Sequence, residues 1–124
     1  MSNQQILDLC KQGISDWQAA FNSGNAAGCA ACYVEDALME AKPMGEFQGR
    51  AAIQAFWQKI MDDGFTNVEY TDVEWQPVGD DGFLLSSKWT MNKAFGVVHK
   101  EHWVVEADGK ARLKTDEFEM LGER

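Results

Sequence analysis

The chain has 124 residues, 45% of them hydrophobic, with five Trp and seven Phe; that is enough apolar surface for the core of one domain and too little length for a second. Twenty Asp and Glu against eleven Lys and Arg leave a formal charge of -9, which repels phosphate backbones and anionic lipid and argues against nucleic-acid and membrane partners. The first residues, Met1-Ser2-Asn3-Gln4-Gln5, lack the basic start and apolar run of a signal peptide, so a soluble cytoplasmic protein is expected.

Ile6, Cys10, Ile14, Trp17 and Phe21 recur every three or four residues and predict a helix from about Gln4 to Asn22, its apolar stripe facing a sheet. Gly24 can end that helix in a left-handed conformation, and Asn25 can cap the next. Cys29, Cys32 and Tyr33 continue the pattern on a shorter helix. Cys29-Ala30-Ala31-Cys32 has the form of a Cys-x-x-Cys pair. A redox pair normally sits at a helix N-terminus, where the dipole lowers the thiol pKa, whereas these cysteines fall inside the predicted helix and read as small core residues. Zinc would need two further ligands, and His99 and His102 are expected on opposite faces of a strand. Ala37 to Ala41 should form a short strand and Lys42 to Gly49 a loop over the mouth of any cavity. Arg50 opens a third helix, carrying Ile53, Phe56, Trp57, Ile60 and Met61, that stops near Asp63-Gly64.

From Asn67 the period shifts toward two, with turn signals at Gly79-Asp80-Asp81-Gly82, Lys93 to Gly96 and Asp108-Gly109, which predicts an antiparallel meander. No internal repeat or linker interrupts residues 1–124, read as a single domain. An even-length turn at Lys93 to Gly96 pairs Asn92 with Val97. The same alignment sets Thr90 opposite His99, Lys88 opposite Glu101 and Ser86 opposite Trp103 on one face. Leu85, Ser87, Trp89 and Met91, against Val104, His102, Lys100 and Val98, would occupy the other.

The order and spacing of Asn22-Ser23-Gly24-Asn25, Tyr33-Val34-Glu35-Asp36-Ala37, Gly45, Gly49-Arg50, Ile53 and Phe56-Trp57 resemble the small α+β cone superfamily named after nuclear transport factor 2. That superfamily includes ketosteroid isomerase, scytalone dehydratase and the SnoaL-like polyketide cyclases. The resemblance implies a cystatin-like α+β cone, with three N-terminal helices packed on a curved, mainly antiparallel β-sheet that encloses a pocket. The superfamily holds enzymes and non-enzymes alike, so function rests on the pocket residues.

Glu101-His102-Trp103 followed by Asp108-Gly109-Lys110 resembles the segment of ketosteroid isomerase that carries its protonated oxyanion-stabilising carboxyl, and Glu101 falls on that position. Lys88 opposite it would favour the charged form instead. Ala41 occupies the place of the isomerase base, and Trp17 that of the partner tyrosine, so steroid isomerisation is not expected. Set beside limonene epoxide hydrolase, Lys88 and Thr90 fall near the arginine and first aspartate of its water-gripping trio, and Asp116 resembles the last. Scytalone dehydratase needs two pocket histidines, and only His99 is expected to point inward.

The catalytic candidates are therefore Glu101, His99 and Asp116, and the ligand-binding candidates Trp17, Lys88, Trp57, Trp103 and Thr90. Glu101 and Lys88 fit either a rim ion pair or a polar pair inside an apolar cavity, and His99 either a satisfied core histidine or a proton carrier. Two readings follow: a SnoaL-like enzyme performing acid/base chemistry on a small, largely apolar carbonyl-type molecule, or a non-catalytic ligand-binding or dimerisation module. Neither implies a cofactor or a metal. A homodimer across the outer sheet face, built on Leu85, Trp89, Met91, Val98 and Val104, is expected.

Overall fold

The computed structural model describes residues 1–124. Helix α1 (Asn3–Asn22) opens on a reciprocal cap in which Gln5 N donates to Ser2 Oγ at 3.1 Å and Ser2 N to Gln5 Oε1 at 2.8 Å. Its buried stripe is Ile6, Cys10, Gly13, Trp17 and Phe21. Gly13 belongs there because a Cβ at that position would lie 2.6 Å from the Trp103 ring, so the missing side chain lets the helix backbone close onto the sheet. After Gly24, at φ 75°, the Asn25 side chain accepts from Gly28 N at 2.9 Å and starts helix α2 (Ala26–Ala31).

Helix α2 is shorter than the periodicity suggests: Cys32 caps it, and Tyr33 begins strand β1 (Tyr33–Lys42) instead of sharing a helical face with the cysteines. The alternation of Ala37, Met39 and Ala41, all buried, carries the strand. Lys42 to Gly49 is no loop, since strand β2 (Gly45–Gln48) folds back antiparallel on β1. Helix α3 (Arg50–Asp62) follows at Gly49, which has φ 86°. The meander appears as expected in strands β3 (Glu69–Val78), β4 (Gly82–Thr90), β5 (Ala94–Val105) and β6 (Ala111–Glu123). The curved, unclosed sheet has the order β2-β1-β6-β5-β4-β3, with β1 parallel to β6 and every other neighbouring pair antiparallel.

Two features reverse the expected faces. The β4–β5 hairpin turns earlier than the Lys93 to Gly96 signal, with Met91 N donating to Ala94 O and Thr90 opposite Phe95, so Lys88 faces Val97 and not Glu101. A bulge then inserts one residue at His99–Lys100, because β4 passes from Leu85 to Ser87 while β5 passes from Glu101 to Val98. One extra residue inverts the alternation, so that Glu101 and Trp103 point inward and His99 outward. The inner face of β4 is Phe83, Leu85, Ser87 and Trp89, all buried. Leu85, Trp89, Met91 and Val98 are thus core residues and are not available to an outer dimer surface.

The three cysteines are free. Burial pushes the thiols of Cys10 and Cys32 up to about 11 and that of Cys29 to about 12, so they stay protonated near neutrality. No helix is long and apolar enough to cross a membrane.

Gly13→Ala should destabilise the protein. Forcing a methyl against the fully buried Trp103 costs roughly 1–3 kcal/mol as overpacking, more than the roughly 1 kcal/mol that alanine returns in helix propensity. Urea denaturation followed by tryptophan fluorescence should show a lowered midpoint; an unchanged or raised one would contradict this packing.

Candidate functional site

The two inward acids meet across the β5–β6 pair, where Glu101 stands directly opposite Asp116. Both are buried, Glu101 at 6% and Asp116 at 3% exposure, and neither forms an ion pair with a lysine, arginine or histidine. Burial and the neighbouring Asp116 charge raise the Glu101 pKa well above the usual carboxylate range. Burial raises that of Asp116 to about 6. Two carboxylates this close cannot both ionise cheaply, so the pair holds a shared proton, with Glu101 as the donor and Asp116 as the acceptor. Asp116 Oδ1 is buried and has no other hydrogen-bond partner.

Each acid also accepts a hydrogen bond from a buried donor. Trp103 Nε1 donates to Glu101 Oε1 at 3.2 Å. The Tyr33 hydroxyl donates to Asp116 Oδ2 at 2.7 Å and itself receives Trp57 Nε1 at 3.3 Å. Burial and the Asp116 charge push the Tyr33 phenol pKa well up, which keeps it a donor. Tyr33 reaches Asp116 because β1 runs parallel to β6, with Tyr33 opposite Leu113 and Met39 opposite Asp116, and Arg50 Nε anchors the strand's start on Tyr33 O at 2.8 Å.

Above the pair lies a chamber of about 20 Å³ walled by Trp17, Trp57, Tyr70, Trp89, Phe118 and the two acids, room for one water-sized group. Trp17 and Trp89 are among its walls, and their indole N–H groups are buried without a protein partner. Burial, followed by the Glu101 charge, pushes the Tyr70 phenol pKa well up. Behind the chamber is a second, wholly apolar space of about 150 Å³ that reaches Met44, Phe65, Ala94 and Met120. Trp57, Trp89, Met91 and Phe118 line both spaces.

Of the expected site residues, Glu101, Asp116, Trp17 and Trp57 converge on the chamber, and Trp103 stands behind Glu101. Three do not. Lys88 lies on the outer face, paired with Asp72 at 3.2 Å. Thr90 sits between Glu69 and Phe95 on that face. His99, turned out by the bulge, pairs half-exposed with Glu119 at 2.8 Å. Glu101 therefore has acidic company where a lysine was expected, which raises its pKa instead of lowering it. Tyr33, Tyr70, Trp89 and Phe118 escaped the sequence reading. The signal for Tyr33 was its phase with Ala37, Met39 and Ala41 in a run of strand-forming residues; the others depended on the register.

A family model of the SnoaL-like domain matches residues 14–114, and the chain belongs to that family. Among curated proteins none matches its sequence. Among solved structures it is similar to a ketosteroid isomerase-like protein from Erwinia carotovora atroseptica SCRI1043, with TM-score 0.81 and 11% identity over 98% of this chain and 99% of that one. It is also similar to ActVI-ORFA from Streptomyces coelicolor, with TM-score 0.78 and 15% identity over 93% of this chain and 96% of that one. An NTF2-like protein from Pseudomonas putida KT2440 aligns with TM-score 0.80 and 17% identity over 96% and 88% of the two chains. At these identities the likeness is one of fold, and chemistry has to come from the carboxyl pair.

The pair makes stability depend on pH with a definite sign. Both acids have raised folded-state pKa values, so their contribution is full below the unfolded values near 4 and is lost as pH rises through about 6 and beyond. Glu101→Gln keeps a donor toward Asp116 and an acceptor for Trp103 while removing one titration. Wild type minus variant stability should therefore fall as pH rises from about 4 through about 6. Denaturation curves at several pH values check this, and a difference that is flat or rises with pH contradicts the shared proton.

Proposed function

We propose that this protein is a small-molecule-binding SnoaL-like domain that moves protons on a small, largely apolar, carbonyl-bearing ligand, with the Glu101–Asp116 pair as its acid and base. The observation that carries the proposal is the pair itself: two buried carboxyls in direct cross-strand register on the wall of a chamber. Burying acids is costly, and a raised pKa beside a cavity is the usual mark of a group kept for proton transfer. Asp116, ionised near neutrality and held by Tyr33, accepts a proton from an acidic C–H or O–H. Glu101, neutral and held by Trp103, returns one to the ligand's oxygen or to a neighbouring carbon. Isomerisation, cyclisation and dehydration all reduce to that pair of transfers. Trp17 offers an N–H to the oxygen on which charge develops.

A second reading has one observation in its favour. The chamber beside the acids takes only a water-sized group, which suits a module that binds an apolar molecule in the larger space behind it and transforms nothing.

Exchange of α-hydrogens for deuterium, followed by proton NMR on cyclohexanone, acetophenone and 2-acetonaphthone, separates the two. Catalysed exchange in at least one of them is expected. It should rise with pH through about 6 as Asp116 ionises and fall again where Glu101 gives up its proton. Glu101→Gln and Asp116→Asn should each lower the rate by roughly a hundred-fold or more. Binding without exchange, or exchange indifferent to both substitutions, favours the non-catalytic module.

A further inference from the structure

We infer that the ligand is a single-ring compound whose ring fills the apolar space and whose one oxygen enters the chamber to accept from the indoles of Trp17 and Trp89; the identity of the site rests on the function proposed above. The two spaces differ in size and in chemistry. The larger, about 150 Å³ and lined by ten residues that are all hydrophobic, has the volume of an apolar protein cavity that takes one benzene molecule. Phe56, Phe65 and Phe118 offer ring faces and edges, and Met44, Met91 and Met120 adaptable thioethers. Met44 is 41% exposed, so this space meets the surface at its outer end.

The smaller space takes one heavy atom or little more. Trp17 Nε1, Trp89 Nε1 and Asp116 Oδ1 are buried on its lining residues without a partner; with the proton from Glu101 assigned to Asp116, the two groups left are indole donors, and the atom they suit is an acceptor. An oxygen directly attached to, or one carbon away from, the ring meets that demand. Glu101 and Asp116 line the same chamber, and an oxygen there lies among the groups that move the proton. Between the two spaces stand Trp57, Trp89, Met91 and Phe118. Three are broad aromatic rings. Met91, unbranched, is the one whose rotamer change opens a passage at least cost. A steroid-sized or fused-ring ligand would have to displace the aromatic layer as well.

Binding of acetophenone, toluene and 2-acetonaphthone to the intact protein, measured by calorimetry and by quenching of tryptophan fluorescence, tests the inference. Acetophenone should bind one to one and more tightly than either of the others. Trp17→Phe and Trp89→Phe keep an aromatic ring and remove one N–H. Each should weaken acetophenone by about three- to ten-fold while leaving toluene within two-fold, the effect of one neutral hydrogen bond. Ala94→Leu, which fills the apolar space from a buried position, should weaken acetophenone and toluene alike, with circular dichroism confirming the fold. Tighter binding of 2-acetonaphthone, equal losses of toluene and acetophenone in the indole variants, or binding untouched by Ala94→Leu overturns the inference. Acetophenone that binds as described without α-hydrogen exchange leaves this inference standing and removes the catalytic reading. Exchange confined to a tightly bound 2-acetonaphthone does the reverse.

Discussion

Two carboxyl groups facing each other across adjacent strands, neither of them in an ion pair, set the terms for the rest of this molecule. Glu101 and Asp116 are both nearly inaccessible, and two negative charges at that separation in a medium of low polarity repel strongly. The arrangement persists because one proton is shared and because each carboxyl accepts from a buried donor. Trp103 bonds to Glu101, and Tyr33, backed by Trp57, bonds to Asp116. A core made only for stability would place apolar side chains at these two positions, which is the physical reason for assigning them a task.

The fold supplies the supports from distant parts of the chain. Gly13 in the first helix brings that helix close enough to press on Trp103, which in turn fixes Glu101. The parallel pairing of β1 with β6 delivers Tyr33, and Arg50 at the start of α3 ties down the same residue through its carbonyl. The β5 bulge is the decisive local event. Without the extra residue at His99–Lys100, Glu101 would share the face of Val97 and His99 and point outward with them. The donors proposed for the ligand are indoles. Trp17 stacks on Phe21 and meets Trp57 edge to face, so its N–H is held by packing and needs no bond of its own to stay in place.

This chain builds the cone of the SnoaL-like family. Ala41, which the resemblance to ketosteroid isomerase sets at the place of the base, is fully buried. The acid and base proposed here come instead from neighbouring strands of the meander, next to each other and coupled through one proton. Coupling ties their two ionisations together, so the working pH range is set by the pair and not by either residue alone.

Much of the architecture was legible without coordinates. The three helices, the cap at Asn25, the turn at Gly24 and the four-stranded meander follow from apolar spacing and from turn residues, which act over a few positions and are therefore written locally. Glu101 and Asp116 were also named from sequence, as were Trp17, Trp57 and Trp103. What sequence spacing could not decide was which faces these strands turn inward. A hairpin that turns a few residues early and a one-residue bulge are small local events, yet with a side-chain period of two each transmits to every residue beyond it. That is why Lys88, Thr90 and His99 were expected in the pocket and lie outside it, and why Leu85, Trp89, Met91 and Val98 were expected at an outer interface and lie in the core. The pairing of Glu101 with Asp116, and of Tyr33 with Asp116 across 83 positions of sequence, exists only once the sheet is assembled. Local spacing sets the elements; register, a property of two strands at once, sets the chemistry.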